Sequence, residues 1–89
     1  MRPVPRLDLP LALDRASARP LHAQLAEALR RAVLDGHLPA GARMPSTRQA
    51  AREVGVARAT VLAAYEQLTG EGYLEARHGA GTFISPHLG

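Results

Sequence analysis

The sequence predicts a small, mainly α domain of the α+β class, in which three helices precede a two-stranded β-hairpin. Apolar residues recur at helical spacing in three segments between Pro20 and Gly70. Serine, proline and glycine stand at the ends of these segments, where helices typically begin and end. The C-terminal part changes to bulky and β-branched residues on either side of His78-Gly79-Ala80-Gly81, which is typical of a hairpin.

Composition limits both the size of the protein and its possible chemistry. The chain has 89 residues, enough for one small domain, and no cysteine that could form a disulfide or a thiolate zinc site. The four histidines are scattered without metal-ligand spacing, so we expect no metal. No apolar run reaches the roughly 20 residues that cross a bilayer, and MRPVPRLDLP lacks the apolar core of a signal peptide. These features predict a cytoplasmic protein without a membrane partner.

The first 19 residues differ from the rest and are predicted to form an extended leader. In RLDLPLALD, leucines alternate with other residues, which is the pattern of a half-buried strand. Because Pro10 cannot donate to a sheet ladder, this segment is at best an edge strand or an extended arm. The segment from Arg15 to Arg19 is predicted to be a linker.

The first helix is predicted to start at Pro20, since proline suits the first helical position. Gly36 is predicted to end it with a left-handed cap. The following HLPAGARMP has the proline and glycine of a turn. The predicted inner face consists of Leu21, Leu25, Ala28, Leu29, Ala32 and Val33.

The second and third helices are predicted to form a tight helix-turn-helix. Ser46 and Gln49 have the spacing of a capping box, and Gly55 closes the second helix. Only Val56 and Ala57 separate Gly55 from the third helix, which ends near Gly70 to Gly72. We expect the second helix to bury Ala50, Ala51 and Val54, and the third to bury Val61, Leu62, Ala64, Tyr65 and Leu68.

Strands at Tyr73–Arg77 and Thr82–Ser85, with the glycine-rich loop between them, complete a winged helix-turn-helix. The second helix of such a motif enters the DNA major groove with its N-terminal residues at the base edges. A recognition helix over residues 58–69 places Arg58 where a bidentate contact to guanine is possible. Thr60 is positioned for a phosphate or a base edge, and Ala59 permits close approach of the backbone.

Other polar residues are expected on the same surface. Arg48 lies in the first turn of the second helix, beside Ser46 and Thr47, whose neighbouring N–H groups favour anions. In the wing, residues 77–82, His78 and Gly79 at the tip could enter a minor groove with Arg77 on the flanking phosphates, but HGAG taken alone is more typical of an ordinary flexible turn. All eleven basic residues are arginine, and the net charge of +3 points weakly to an anionic partner, although a modest excess charge that serves only solubility fits it equally well. Of the remaining arginines, Arg43 is a further phosphate candidate, the leader arginines a weak basic arm, and Arg30, Arg31 and Arg52 solvated residues.

With these motifs in place, the sequence resembles the GntR family of bacterial transcription regulators. The matching parts are PLHAQLAEALRRAVLDGHLPAG, MPSTRQAAREVGVARATV and EGYLEARHGAGTF. The leader and TVLAAYEQL resemble the MocR type within this family. The resemblance implies a winged-helix domain over residues 20–85, a linker beginning at 86–89, and a separate C-terminal domain that is similar to aminotransferases and binds pyridoxal phosphate.

That second domain is not in this chain, so we expect an isolated DNA-binding domain without a cofactor. A Schiff base is impossible here because the chain has no lysine. The resemblance implies DNA contacts by Arg48, Arg58, Thr60, His78 and Gly79, and a homodimer on a double-stranded operator. The sequence departs from the family pattern at Ala57, which removes a side-chain cap, and at Leu62, where many members outside the MocR type carry arginine; Leu62 fits the MocR resemblance but removes one possible base contact. Ala59 replaces a residue that is often polar, and Gly70 weakens the end of the third helix.

Two other function classes compete with DNA binding. A winged helix can serve as a protein-interaction module, but such a module has no need of Arg48, Arg58 and His78 together. An enzyme is not expected, because the sequence has no paired carboxylates, activated nucleophile or phosphate-binding loop. Glu66, Glu71 and Glu75 are interpreted as solvated residues.

Overall fold

The computed structural model describes Leu7 and residues 11–87. Residues 1–6, 8–10 and 88–89 lie outside this description, and with them part of the predicted arm and of the linker. The elements, in chain order, are α1 (Leu21–Leu34), α2 (Thr47–Val54), α3 (Arg58–Gly70), β1 (Leu74–Arg77) and β2 (Gly81–Ile84). The predicted order of three helices and a hairpin is confirmed.

Helix α1 begins one residue later than predicted. Pro20 is the N-cap rather than the first helical residue, because its ψ of 145° is extended. Its carbonyl nevertheless accepts hydrogen bonds from the N–H groups of Ala23 and Gln24, both at 3.1 Å. At the other end, Gly36 has the predicted left-handed conformation, with φ of 83°. Only a residue without a Cβ adopts this conformation at little cost.

Ser46 and Gly55 cap the two ends of α2, as the sequence predicts, whereas α3 starts without a side-chain cap. The Ser46 hydroxyl oxygen accepts a hydrogen bond from the Gln49 N–H at 3.1 Å. Gly55 closes α2 in the left-handed conformation with φ of 80°. Ala57 is the N-cap of α3 and offers no side-chain hydrogen bond. An alanine at this position typically costs about 1 kcal/mol relative to serine or threonine.

The wing contains more pairing than the sequence predicts. Strands β1 and β2 are antiparallel, with Leu74 opposite Ile84 and Arg77 opposite Gly81. Gly81 therefore belongs to a strand, and the loop is residues 78–80. The segment before α2 adds a third, very short pairing, because Arg43 forms a bridge with Phe83. The Met44 N–H donates to the Thr82 carbonyl and the Ile84 N–H donates to the Ala42 carbonyl, both at 2.7 Å. The predicted turn HLPAGARMP thus ends by anchoring the wing to the helices.

A single core holds α1, α3 and the wing together. Leu25, Leu29, Leu68 and Ile84 are essentially inaccessible to solvent. Tyr65 is also buried, and its hydroxyl donates to the Pro45 carbonyl at 2.8 Å. Burial, with the nearby Glu53 carboxylate, raises the Tyr65 pKa, so this hydroxyl stays protonated and able to donate. The predicted burial of Leu62 is wrong: its side chain is 48% exposed.

Other predicted inner-face residues are only partly buried. Leu21, Ala28 and Val33 of α1 and Val54 of α2 are intermediate in exposure, whereas Ala26, which the predicted face omitted, is fully buried. The helical spacing therefore identified the centre of each face better than its edges.

The described part of the leader packs on the domain. Leu7 is buried, and its N–H donates to a Glu53 carboxylate oxygen at 2.7 Å. Arg15 donates from Nη2 to the Gly55 carbonyl at 2.7 Å. Arg15 of the predicted basic arm is therefore anchored to the helical part of the domain. Its guanidinium binds the turn between α2 and α3, where the carbonyl oxygen at a helix end attracts a cation.

Arg30 and Glu71 form a second contact that the sequence did not predict. Arg30 donates from Nε and Nη2 to one Glu71 carboxylate oxygen at 2.9 and 2.6 Å. Its guanidinium also lies 5.7 Å from the centre of the Tyr73 ring. The expectation that Arg30 and Glu71 are merely solvated is wrong, because together they connect α1 to the C-cap of α3.

We expect the free energy of unfolding of Glu71→Gln to change less than that of the wild type as the pH falls into the acid range. The hydrogen bond from Arg30, followed by that from Gln67, lowers the pKa of Glu71 below its ordinary value of 4.5. A lowered folded-state pKa contributes stability above pH 4.5 that is lost as the pH falls through the folded-state pKa. Urea unfolding at several pH values should show the variant less stable at pH 7 and the difference shrinking towards acid.

The matched control is Glu66→Gln, which changes an exposed carboxylate on the same helix. A difference between wild type and Glu71→Gln that stays constant through the acid range would show that the ion pair is not its cause.

Candidate nucleic-acid interface

The turn between α2 and α3 determines where α3 begins. The Gly55 and Val56 N–H groups both donate to the Ala51 carbonyl, at 2.8 and 3.1 Å. This bonding closes α2 and reverses the chain within three residues, 55–57. Arg15 binds the Gly55 carbonyl from outside. The start of α3 thus follows the C-terminal end of α2 after a short turn, as in a helix-turn-helix.

Arg58 is the first residue of α3, and its side chain is held by α2. Its Nε donates to the Thr47 hydroxyl oxygen at 2.9 Å. The bond joins the first residues of the two helices, so two of the predicted site residues are in direct contact. Within the described residues, neither terminal Nη nitrogen of Arg58 has a hydrogen-bond or ion-pair partner. The two Nη nitrogens of this exposed and positioned side chain are therefore available to a bidentate acceptor.

The other predicted residues of the helices lie beside this pair. Ser46 acts as the N-cap of α2, the role that the sequence favoured. Arg48 is exposed and forms no ion pair with any residue in the described part of the chain. Ala59 is exposed, and Thr60 is partly exposed in the first turn of α3. Small side chains thus surround Arg58 and leave its backbone accessible.

In the wing, Arg77 stacks on an aromatic ring, and His78 and Gly79 lie at an exposed tip. The Arg77 guanidinium lies 4.3 Å from the centre of the Phe83 ring. It also approaches the Glu75 carboxylate at 3.5 Å, a contact that is nearly half exposed on both sides. His78 and Gly79 form the exposed loop, and Gly79 has a left-handed φ of 77°. The tip conformation therefore depends on glycine, and Arg77 is fixed by the ring beneath it.

Arg43 lies against the wing. Its Nε would be 3.2 Å from a Cβ placed on Gly81, so a larger residue there would require the guanidinium to shift by a few tenths of an ångström. The sequence suggested a phosphate contact for Arg43 but gave no indication of its packing. No local pattern indicates this packing, because it follows from the isolated bridge between Arg43 and Phe83, 40 positions apart.

Residues of α2, α3 and the wing line one open groove on the surface of the domain. It has a volume of about 300 Å³ and lies between α2, α3 and the hairpin. Thr47 of α2, Thr82 of the wing and the exposed Leu62 and Glu66 of α3 are among the residues that border it. Its lining residues are Thr47, Leu62, Tyr65, Glu66, Thr69, Ala76 and Thr82. The surface beginning at Arg58 therefore continues along α3 to the wing strands.

Neither a metal-binding group of residues nor a membrane-spanning helix occurs in the described part of the chain. In the part of the chain that the structure describes, no three histidine, cysteine or carboxylate residues are placed to hold a metal ion. None of the helices among these residues is long and apolar enough to cross a membrane.

Comparison with known proteins identifies this architecture. Residues 21–84 match the model of the family described as bacterial regulatory proteins, gntR family. The chain belongs to the GntR family. The match covers all three helices and the wing, so the predicted winged helix-turn-helix and the predicted family are both confirmed.

The relatives of this GntR domain include MocR-type regulators, as the sequence predicted. It is 49% identical over 75 residues to the probable rhizopine catabolism regulatory protein MocR of Rhizobium meliloti, covering 84% of this chain and 15% of that protein. It is 44% identical over 81 residues to the pyridoxine biosynthesis transcriptional regulator PdxR of Corynebacterium glutamicum, covering 91% of this chain and 18% of that one. The chain thus spans less than a fifth of these two relatives.

A solved structure connects the same fold to nucleic acid. The GntR domain superposes on the AraR DNA-binding domain, crystallised with operator ORR3, with a TM-score of 0.71 and 26% sequence identity. The superposition covers 83% of this chain and 89% of that one. The comparisons support a DNA-binding regulator domain, and none of them supports the protein-interaction alternative.

Proposed function

We propose that this domain binds double-stranded DNA in a sequence-specific manner, with α3 in the major groove. The observation that carries the proposal is the hydrogen bond from Arg58 Nε to Thr47. It fixes the guanidinium at the tip of α3 and leaves the Nη pair for O6 and N7 of a guanine, the commonest specific contact of arginine. Thr60 lies within the same turn, for a phosphate or a base edge, and Ala59 permits close approach.

The remaining predicted residues position the domain on the backbone of the duplex. Arg48 and the N–H groups beside Ser46 and Thr47 bind phosphates, because the first turn of a helix favours anions. At the wing, His78 and Gly79 enter the minor groove and Arg77 contacts the flanking phosphates. Such contacts fix register and orientation without reading sequence.

We expect Arg48→Ala to weaken binding to all duplexes alike. Because Arg48 is exposed and has no carboxylate partner among the described residues, its charge is available for a phosphate. Removing one phosphate contact should lower the slope of log Kd against log salt by about one. Titrations at four salt concentrations with a specific and a random duplex measure both effects. A loss confined to the specific duplex would assign Arg48 to base recognition instead.

The proposal includes the organisation and assembly of the protein. Residues 20–85 form the DNA-binding domain, 1–19 an extended N-terminal leader, and 86–89 the start of a linker. The domain acts as a homodimer on a bacterial operator, in the cytoplasm, as a regulator and not as an enzyme. Pyridoxal phosphate is expected only in a C-terminal domain of a longer MocR-like protein, and no cofactor is expected in this chain.

Selection from a random pool of duplexes tests the proposed function. Fluorescence anisotropy of the enriched and the starting pool is then followed as salt rises. We expect a motif to be enriched, and the enriched pool to bind more tightly at every salt concentration. Non-specific affinity for DNA is typically about 10⁻⁴–10⁻⁶ M at physiological salt. If no motif is enriched and binding disappears at moderate salt, sequence-specific recognition by this domain is wrong, and the protein-interaction alternative becomes the better hypothesis.

A further inference from the structure

Leu62 is a large apolar side chain on the outer surface of α3, and it is 48% exposed. Among the described residues, the other exposed large apolar side chain is Leu34 at the end of α1. A single exposed leucine is common on protein surfaces, so exposure alone assigns no role. The position of Leu62 relative to Arg58 is what distinguishes it from Leu34.

Leu62 lies on the row of α3 that begins with Arg58. Residues four apart lie above one another on a helix, so Arg58, Leu62 and Glu66 share one face. All three are exposed, whereas Val61 and Tyr65, on the neighbouring row of the helix, are buried. Leu62 follows Arg58 by about 6 Å along the helix axis. A helix that places Arg58 at a base edge therefore places Leu62 within about two base pairs of it, since successive base pairs are about 3.4 Å apart.

The surroundings of Leu62 favour an apolar contact with a base. It borders the open groove, which the polar side chains of Thr47 and Glu66 also line. The edges of base pairs in the major groove present hydrogen-bond donors and acceptors, and one apolar group, the C5-methyl of thymine. We propose that Leu62 contacts the C5-methyl group of a thymine near the base pair that Arg58 reads, and so specifies thymine there. This inference rests on the proposed function and adds a specificity-determining residue to it.

Deoxyuridine substitution tests the contact without altering the protein. It removes only the C5-methyl of thymine and keeps every hydrogen-bonding group. Each thymine of a duplex selected from the random pool is replaced singly, and Kd is measured by anisotropy for the wild type and for Leu62→Ala. We expect one thymine per half-site whose replacement weakens wild-type binding about threefold to fivefold, the effect of one buried methyl group. Leu62→Ala should bind the thymine and deoxyuridine duplexes equally.

Leu34→Ala is the matched control, because it removes the same atoms from an exposed leucine outside the proposed interface. It should retain the full deoxyuridine penalty. Thermal melting of both variants should match the wild type, which excludes misfolding as the cause of any lost discrimination.

The outcomes separate this inference from the proposed function. If a motif is selected but no thymine shows a penalty, or Leu62→Ala keeps the penalty, the methyl contact is wrong and DNA recognition stands. If no motif is selected, both are wrong. A penalty that depends on Leu62 and not on Leu34 supports the contact.

Discussion

Arg58→Ala should weaken binding to the selected duplex by about 1–3 kcal/mol and relax specificity at one base pair. The structure gives the reason, because Arg58 is both exposed and held. Its Nε is occupied by the Thr47 hydroxyl at 2.9 Å, and its Nη nitrogens have no partner within the described residues. Binding of the variant to duplexes with each of the four base pairs at the affected position measures the loss of discrimination.

Two further variants separate the guanidinium geometry from its charge. Arg58→Lys keeps the charge but cannot form the fork that binds both Thr47 and a guanine, so it should behave nearly like alanine on the specific site. Arg52→Ala removes an exposed arginine from the last turn of α2 and should have little effect on specificity. Equal effects of Arg58→Ala and Arg52→Ala on every duplex would mean that Arg58 contributes only charge.

Leu68→Ala should have the largest effect on the stability of the domain. Leu68 is completely inaccessible to solvent, in the core that α3 shares with α1 and the wing. Truncating a buried leucine to alanine typically costs about 2–5 kcal/mol, through lost burial and the cavity that remains. A domain of this size has about 4–13 kcal/mol of stability in total. Urea unfolding followed by circular dichroism at pH 7 should show a clearly lower midpoint.

Leu62→Ala provides the matched control, since it makes the same change six positions earlier on the same helix. Because Leu62 is 48% exposed, its truncation should change the free energy of unfolding by less than about 0.5 kcal/mol. The two variants are therefore expected to change different properties of the domain. Leu68→Ala lowers stability, whereas Leu62→Ala alters discrimination between thymine and deoxyuridine. Equal destabilisation by both would mean that Leu62 belongs to the core, as its spacing suggested.

The elements of the fold were predictable from local signals. Ser46 followed by Gln49 marks a helix start because the hydroxyl satisfies a free N–H, and the structure contains that bond. Gly36 and Gly55 mark helix ends because both adopt positive φ there. The position of Arg58 at the tip of α3 followed from the short turn after Gly55. Each of these inferences depends on residues within one or two turns of each other.

The error at Leu62 shows where such reasoning stops. Leu62 follows the fully buried Val61 and lies about 100° further around the helix. An apolar residue at that angle is buried only if another element covers it. Here α2 and the wing leave an open groove beside it. Helical periodicity gives the direction of a side chain and not the extent of its neighbours.

The sequence by itself determined the three helices, their caps, the hairpin, the family and the candidate site. These follow from periodicity, caps and motifs, which act between residues close in the chain. Tertiary structure alone decided which arginines are available. Arg15 binds Gly55, 40 positions away, and Arg30 binds Glu71, 41 positions away. Arg58 binds a hydroxyl, so its charge, unlike that of Arg30, is not paired with a carboxylate of the described residues. Partners so far apart in the chain are set by packing, because no local pattern specifies which surfaces meet.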